Sequence, residues 1–169
     1  MKSAITHYGE SEALPRFQGM NAMERKLVGW STDYSLGMPE LDAQHKMLFD
    51  LINQLWQGIV TNADRQTQLK VIEQLEHYTL THFSAEEDFL LAIEFPGTES
   101  HRQAHLAFTQ RVADEKQAIL TGAQVSLGLL HFLNDWLVNH IRGEDLAYAE
   151  YSAKRQERSM LGRFFKLFS

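Results

Sequence analysis

The sequence predicts an all-α fold, an antiparallel up-down-up-down four-helix bundle. Three observations carry this. Apolar residues recur at spacings of three and four over four long segments, which is the signature of amphipathic helices. The segments are separated by short breaker clusters, and short connections make successive helices antiparallel neighbours. With only 3 Pro and 10 Gly in 169 residues, long helices run without interruption, and no strand-like alternation, internal repeat or low-complexity stretch competes with them.

Residues 1–29 show no sustained period and read as an N-terminal arm. Gly37 and Pro39 mark a loop into the first helix, whose seam is Leu41, His45, Leu48, Ile52, Leu55 and Ile59. Asn62, Ala63 and Asp64 end it. The second helix is expected from about Gln66 to Ile93, with Val71, Leu75, Tyr78, His82, Phe89 and Ile93 on one face and Glu86 one turn past His82. Phe95, Pro96, Gly97 and Thr98 form a stop, with Thr98 as the expected N-cap. A third helix follows to Leu120, carrying His101, His105, Phe108, Val112 and Ile119. The fourth begins near Ser126 and carries Leu130, Leu133, Leu137, His140 and Glu144, continuing past Tyr151. The domain is therefore expected over residues 30–151, with residues 152–169 as a basic amphipathic extension.

Composition excludes several functions. Lys plus Arg is 16 against 22 for Asp plus Glu, a formal net charge of −6, so a nucleic-acid-coating role lacks its basic face. The absence of Cys removes disulfides, thiolate zinc sites, iron–sulfur clusters and Cys nucleophiles. No segment approaches the 18 or more apolar residues of a transmembrane span, and the first residues lack the apolar core of a secretory signal, so a cytoplasmic protein is expected.

The chemistry lies in the 8 His. Five of them, His45, His82, His101, His105 and His140, fall on the apolar seams of four different helices. One inward His is ordinarily a core residue bonded to a backbone carbonyl; five across four helices are not independent accidents. His82 and Glu86 are four apart, as are His101 and His105, and side chains four apart stack on one helix face at the separation two ligands of one metal need. Neither pair is specific alone, since roughly 0.4 chance occurrences of His-x-x-x-His are expected at this composition. His140 and Asp145 are five apart, about 140° around an ideal helix. For both to reach one site the helix must widen locally, and Gly143 is where a π-type irregularity would be tolerated; Glu144, four after His140, is the rival. Five imidazoles and two carboxylates exceed the needs of one tetrahedral zinc and suit two six-coordinate ions, iron or manganese before copper(I). His7, His77 and His131 lack such partners and read as structural or solvent-facing.

The order His45, His82-x-x-x-Glu86, His101-x-x-x-His105, His140-x-x-x-x-Asp145, with the lead-in WSTDYSLGMPELDAQH over residues 30–45, resembles the hemerythrins, and in particular their bacterial branch, over about Trp30 to Tyr151. The resemblance implies a four-helix bundle with a non-haem di-iron centre that binds dioxygen reversibly, for storage, delivery or buffering, rather than an enzyme. It implies that His101, His105 and His140 hold one iron, His45 and His82 the other, and that Glu86 and Asp145 bridge both beside an oxo or hydroxo group. Leu48, Phe83, Trp136, Leu137 and Ile141, flanking those histidines, are the candidate walls of the oxygen pocket. An oxygen or redox sensor acting through a partner is the alternative. A di-iron oxidase is disfavoured, because such bundles use Glu-x-x-His on two helices and the sequence contains none. Residues 152–169, with Phe164, Phe165 and Phe168 among Arg155, Arg158, Arg163 and Lys166, either fold back to bury those rings on the bundle or are the candidate contact for a partner, a second copy or an anionic membrane surface.

Overall fold

Helix starts and stops follow local chemistry. The computed structural model describes residues 26–154, so most of the expected arm and nearly all of the C-terminal extension lie outside the described residues. A 3₁₀ turn, Thr32–Tyr34, is capped by Ser31, whose hydroxyl accepts from the Asp33 amide. Helix α1, Pro39–Val60, starts with Pro, whose missing N–H would have been unsatisfied there anyway. Asp42 in its first turn accepts from the Leu36 amide at 2.8 Å and the Ser35 hydroxyl at 2.5 Å, folding the lead-in back onto the helix. The reversal needs the left-handed backbone of Gly37, φ +67°. Asn53, in the middle of α1, holds the preceding segment: its amide oxygen accepts from the Leu27 and Val28 amides while its NH2 donates to Val28 and Phe49 carbonyls.

Helix α2, Arg65–Ala92, is capped by Asp64, which accepts from the Thr67 amide at 2.8 Å. Helix α3 is Thr98–Leu120. Gly97, not Thr98, occupies its N-cap, and Thr98 instead donates its hydroxyl to the Phe95 carbonyl at 2.7 Å. Gly97 is required by close approach, since a Cβ there would lie 2.6 Å from the Phe95 ring. Helix α4, Leu127–His140, is capped by Ser126, passes through a π turn, Ile141–Asp145, and continues as α5, Leu146–Lys154.

Helix α1 packs on α2 and α4, and α3 on α2 and α4, so the helices enclose one core. Among the described residues there is no strand, and no helix is long and apolar enough to cross a membrane. Leu41, Ile52, Leu55, Ile72, Leu75, Phe89, Leu90, Ile119, Leu129 and Leu133 are fully buried, each worth roughly 1.5–3 kcal/mol of transfer free energy. The expected seams of α1, α3 and α4 are largely buried. In α2 the seam differs: Val71 and Tyr78 are half-exposed while Ile72 and Thr79 face inward. The buried stripe keeps a seven-residue repeat, Gln68, Leu75, His82 and Phe89 with Ile72, Thr79, Glu86 and Ile93, and Val71 and Tyr78 pack on the core from its flank. Thr79 can face inward because its hydroxyl donates to the Leu75 carbonyl at 2.9 Å.

Candidate metal centre

Seven side chains from five elements converge in one buried layer. His45 comes from early α1, His82 and Glu86 from late α2, His101 and His105 from early α3, His140 from the last residue of α4, and Asp145 from the π turn. None is more than 5% exposed. The π turn decides between the two carboxylates. By inserting one residue it carries Asp145 onto the His140 face, with Oδ1 3.2 Å from His140 Nε2, and leaves Glu144 half-buried and outside the group. Gly143 is not sterically demanded, since a Cβ would meet nothing within 4 Å.

The nitrogens point inward. Glu86 Oε2 lies 3.3 Å from Nε2 of both His101 and His105 and 3.8 Å from that of His82. Asp145 Oδ2 lies 3.2 Å from His45 Nε2, and its Oδ1 3.8 Å from His101 Nε2. His105 and His140 bring their Nε2 atoms within 3.0 Å of each other. Two sets of donors, Glu86 with His101, His105 and His140, and Glu86 with His45 and His82, each gather their ligand atoms within 4.8 Å of one another. Asp145 bridges the two sets spatially. Both its oxygens are buried with no hydrogen-bond donor aimed at them. A buried carboxylate without a satisfied hydrogen bond is costly, and the groups that face it are imidazole nitrogens, each a metal ligand in its neutral form, so the donor set fits cations.

The electrostatics divide the layer, holding two imidazoles neutral and drawing two toward protonation. Burial drives His82 down to about 3 and His140 down to about 2, against the pull of Glu86, so both imidazoles stay neutral. Burial opposes the charge on Glu86, but His82, His101 and His105 hold its pKa well below the usual carboxylate range. Burial likewise opposes protonation of His45 and His101; Asp145 and Glu86 outweigh it and raise both.

Three residues around the layer are not among the site residues expected from the sequence. The Tyr148 hydroxyl donates to Glu86 Oε1. His82 Nδ1 donates to the Gln44 amide oxygen at 2.6 Å, and His105 Nδ1 to Glu87 Oε1 at 3.0 Å. Such outer partners fix the tautomer that leaves Nε2 free for a metal. Tyr148 lies three residues after Asp145 on the same face, which is a usable signal; Gln44 and Glu87 point to partners on other helices and offer none.

Of the expected pocket walls, Leu48, Leu137 and Ile141 are buried in the core. Phe83 stacks on His105, centroids 3.7 Å apart, and Trp136 on His140 at 4.2 Å. The two aromatic walls therefore cover the three-histidine side of the layer. His77 and His131 are exposed, and His7 lies outside the described residues.

A helical bundle with a buried, cysteine-free histidine–carboxylate layer is a cation-binding fold. The chain belongs to the hemerythrin family: residues 36–151 match the hemerythrin HHE cation binding domain. It is 31% identical over 150 residues to a bacteriohemerythrin of Stenotrophomonas maltophilia, covering 84% of this chain and 97% of that one. A hemerythrin-like protein of Naegleria gruberi is 34% identical over 119 residues, covering 70% of this chain and 88% of that one. The crystal structure of wild-type hemerythrin superposes with a TM-score of 0.68 at 28% identity, covering 73% of this chain and 96% of that one.

Proposed function

We propose that this chain binds dioxygen reversibly at a non-haem di-iron centre, as an oxygen store, carrier or buffer and not as an enzyme. The observation that carries this is the buried layer of five inward imidazoles and two carboxylates, in two donor sets that share Glu86. His101, His105 and His140 would hold one iron and His45 and His82 the other, with Glu86 and Asp145 bridging beside an oxo or hydroxo group. A di-iron pair supplies two electrons that dioxygen takes up and returns.

The protein's own groups support that use. Asp145 has oxygens toward both donor sets. Glu86 accepts the Tyr148 proton on Oε1, and a carboxylate oxygen has a second lone pair left for a cation. Leu48, Leu137 and Ile141 exclude water around the layer, which disfavours release of a charged, reduced product. The layer joins the starts of α1 and α3 to the ends of α2 and α4, which supports an up-down-up-down course. The low carboxylate count, without any Glu-x-x-His, supports a carrier over an oxidase.

The test is metal analysis after iron-replete expression, with the visible spectrum in air before and after dithionite. Two irons per chain and a spectrum that bleaches on reduction and returns in air are expected. One ion per chain, zinc in place of iron, or a spectrum indifferent to oxygen overturns the proposal.

A further inference from the structure

We propose that Glu87, gripped by Arg102, makes His105 a stronger electron donor than His45, His82 and His101, and so tunes the half of the centre that His105 serves. The inference rests on the di-iron reading above. It starts from the far nitrogens of the histidines. Among the described residues, Nδ1 of His45 and of His101 has no partner. His82 donates to the neutral amide of Gln44, whereas His105 donates to a carboxylate at 3.0 Å. A carboxylate accepting the N–H pulls the proton away from the ring and raises the donor strength of the opposite nitrogen; an amide does so much less.

Glu87 is held where it can do this. Its second oxygen accepts from Arg102 Nε at 3.1 Å, and Arg102 also lies 3.8 Å from Glu99. The pair lines a cleft between α2 and α3 of about 330 Å³, together with Phe83 and His105. Glu87 has 23% of its side chain exposed and Arg102 51%, so the arginine's charge is screened by solvent more strongly than the carboxylate's hold on the buried ring. Glu87 is thus a positioning residue: it fixes the plane and tautomer of His105 and adds negative charge behind one half of the centre. Arg102 offsets part of that charge.

This arrangement makes two substitutions act with opposite sign. Glu87→Gln keeps an acceptor for Nδ1 but removes the charge, so the ferric state loses support and the reduction potential moves positive. Arg102→Gln removes the counter-charge and moves it negative. Glu87→Ala frees the ring and lowers ferrous-iron affinity by about 10–100-fold, which Glu87→Gln restores.

The measurements are spectroelectrochemical potentials of the iron-loaded full chain, chelator competition for ferrous iron, and far-UV circular dichroism to confirm equal helix content. Opposite shifts in Glu87→Gln and Arg102→Gln, with affinity lost only in Glu87→Ala, are the expected result. Potentials that do not move, or that move in the same direction, overturn this inference alone. An unsubstituted chain that binds no iron overturns the di-iron reading and this inference with it.

Discussion

The two ends of the bundle handle buried polarity in opposite ways. At the end formed by the α1–α2 and α3–α4 connections, Gln68 donates to the Ala63 carbonyl at 3.1 Å and accepts from the Val125 amide at 2.9 Å, pinning one loop to the other. Glu115 there accepts from the Ser126 amide at 2.9 Å and from Arg111 at 3.3 Å. Each polar atom of those two side chains has a partner within the protein. At the other end Asp145 has no donor, and five imidazoles present nitrogens to one another and to two carboxylates. Burial is nearly equal at the two ends, so burial alone does not mark the site. What marks it is convergence: single unpartnered atoms also occur at Trp56 Nε1 and Ser152 Oγ, but at this end a carboxylate without a donor stands among five imidazoles, a set that suits a ligand.

Substitutions at the two ends should therefore fail in different ways. The largest effect is expected for Asp145→Ala and His101→Ala, which should each lose most of the bound iron while the helix content survives; metal analysis and circular dichroism check this, and full occupancy in both would remove these residues from the centre. Because ligand imidazoles must be neutral, acid should also strip iron from the unsubstituted chain, followed by chelator colour. Next is the apolar core between the two ends, where Leu75→Ala should cost about 2–5 kcal/mol by leaving a cavity, read from chemical denaturation; under about 1 kcal/mol would show that the core closes over the gap. Gln68→Ala should cost about 1–3 kcal/mol by stranding the Val125 amide, with iron content unchanged. Loss of iron there would mean the two ends are coupled and would break the contrast. The smallest effect is Ser126→Ala, which removes the α4 cap accepting from the Leu129 amide at 3.0 Å. It should cost about 1 kcal/mol, a fall in Tm of about 2–4 °C for a domain of this size.

Much of this was legible in the sequence because helical period reports which residues share a face. The seams of α1, α3 and α4, and the inward histidines, follow from that alone. The rule also exposed its own exception: His140 and Asp145 are out of phase in an ideal helix, and the π turn supplies the missing rotation. Period says little about a neighbouring helix. Gln44 and His82, Glu87 and His105, and Tyr148 and Glu86 are separated by 38, 18 and 62 residues, and nothing along one helix announces such a partner. Val71 and Tyr78 flank the α2 stripe instead of centring it, because apolar period alone passes over the polar residues Gln68 and Thr79, which are buried there with their hydrogen bonds satisfied.

The π turn also bears on how this chain tolerates a change in length. A regular helix punishes the loss of one residue, since everything beyond it swings by about 100°; inside α2, between His82 and Glu86, such a loss would take Phe89 and Leu90 out of the core. The five-residue turn behaves as a slip coupling. It already contains one residue more than the helical path requires, so Tyr148, Ala149 and Ser152 stand buried where a chain one residue shorter would place them on an unbroken α-helix. Excising Gly143, whose surroundings are open, would tighten the coupling into ordinary helix, keep Asp145 beside His140 and leave the iron stoichiometry intact, whereas the same excision in α2 would abolish it.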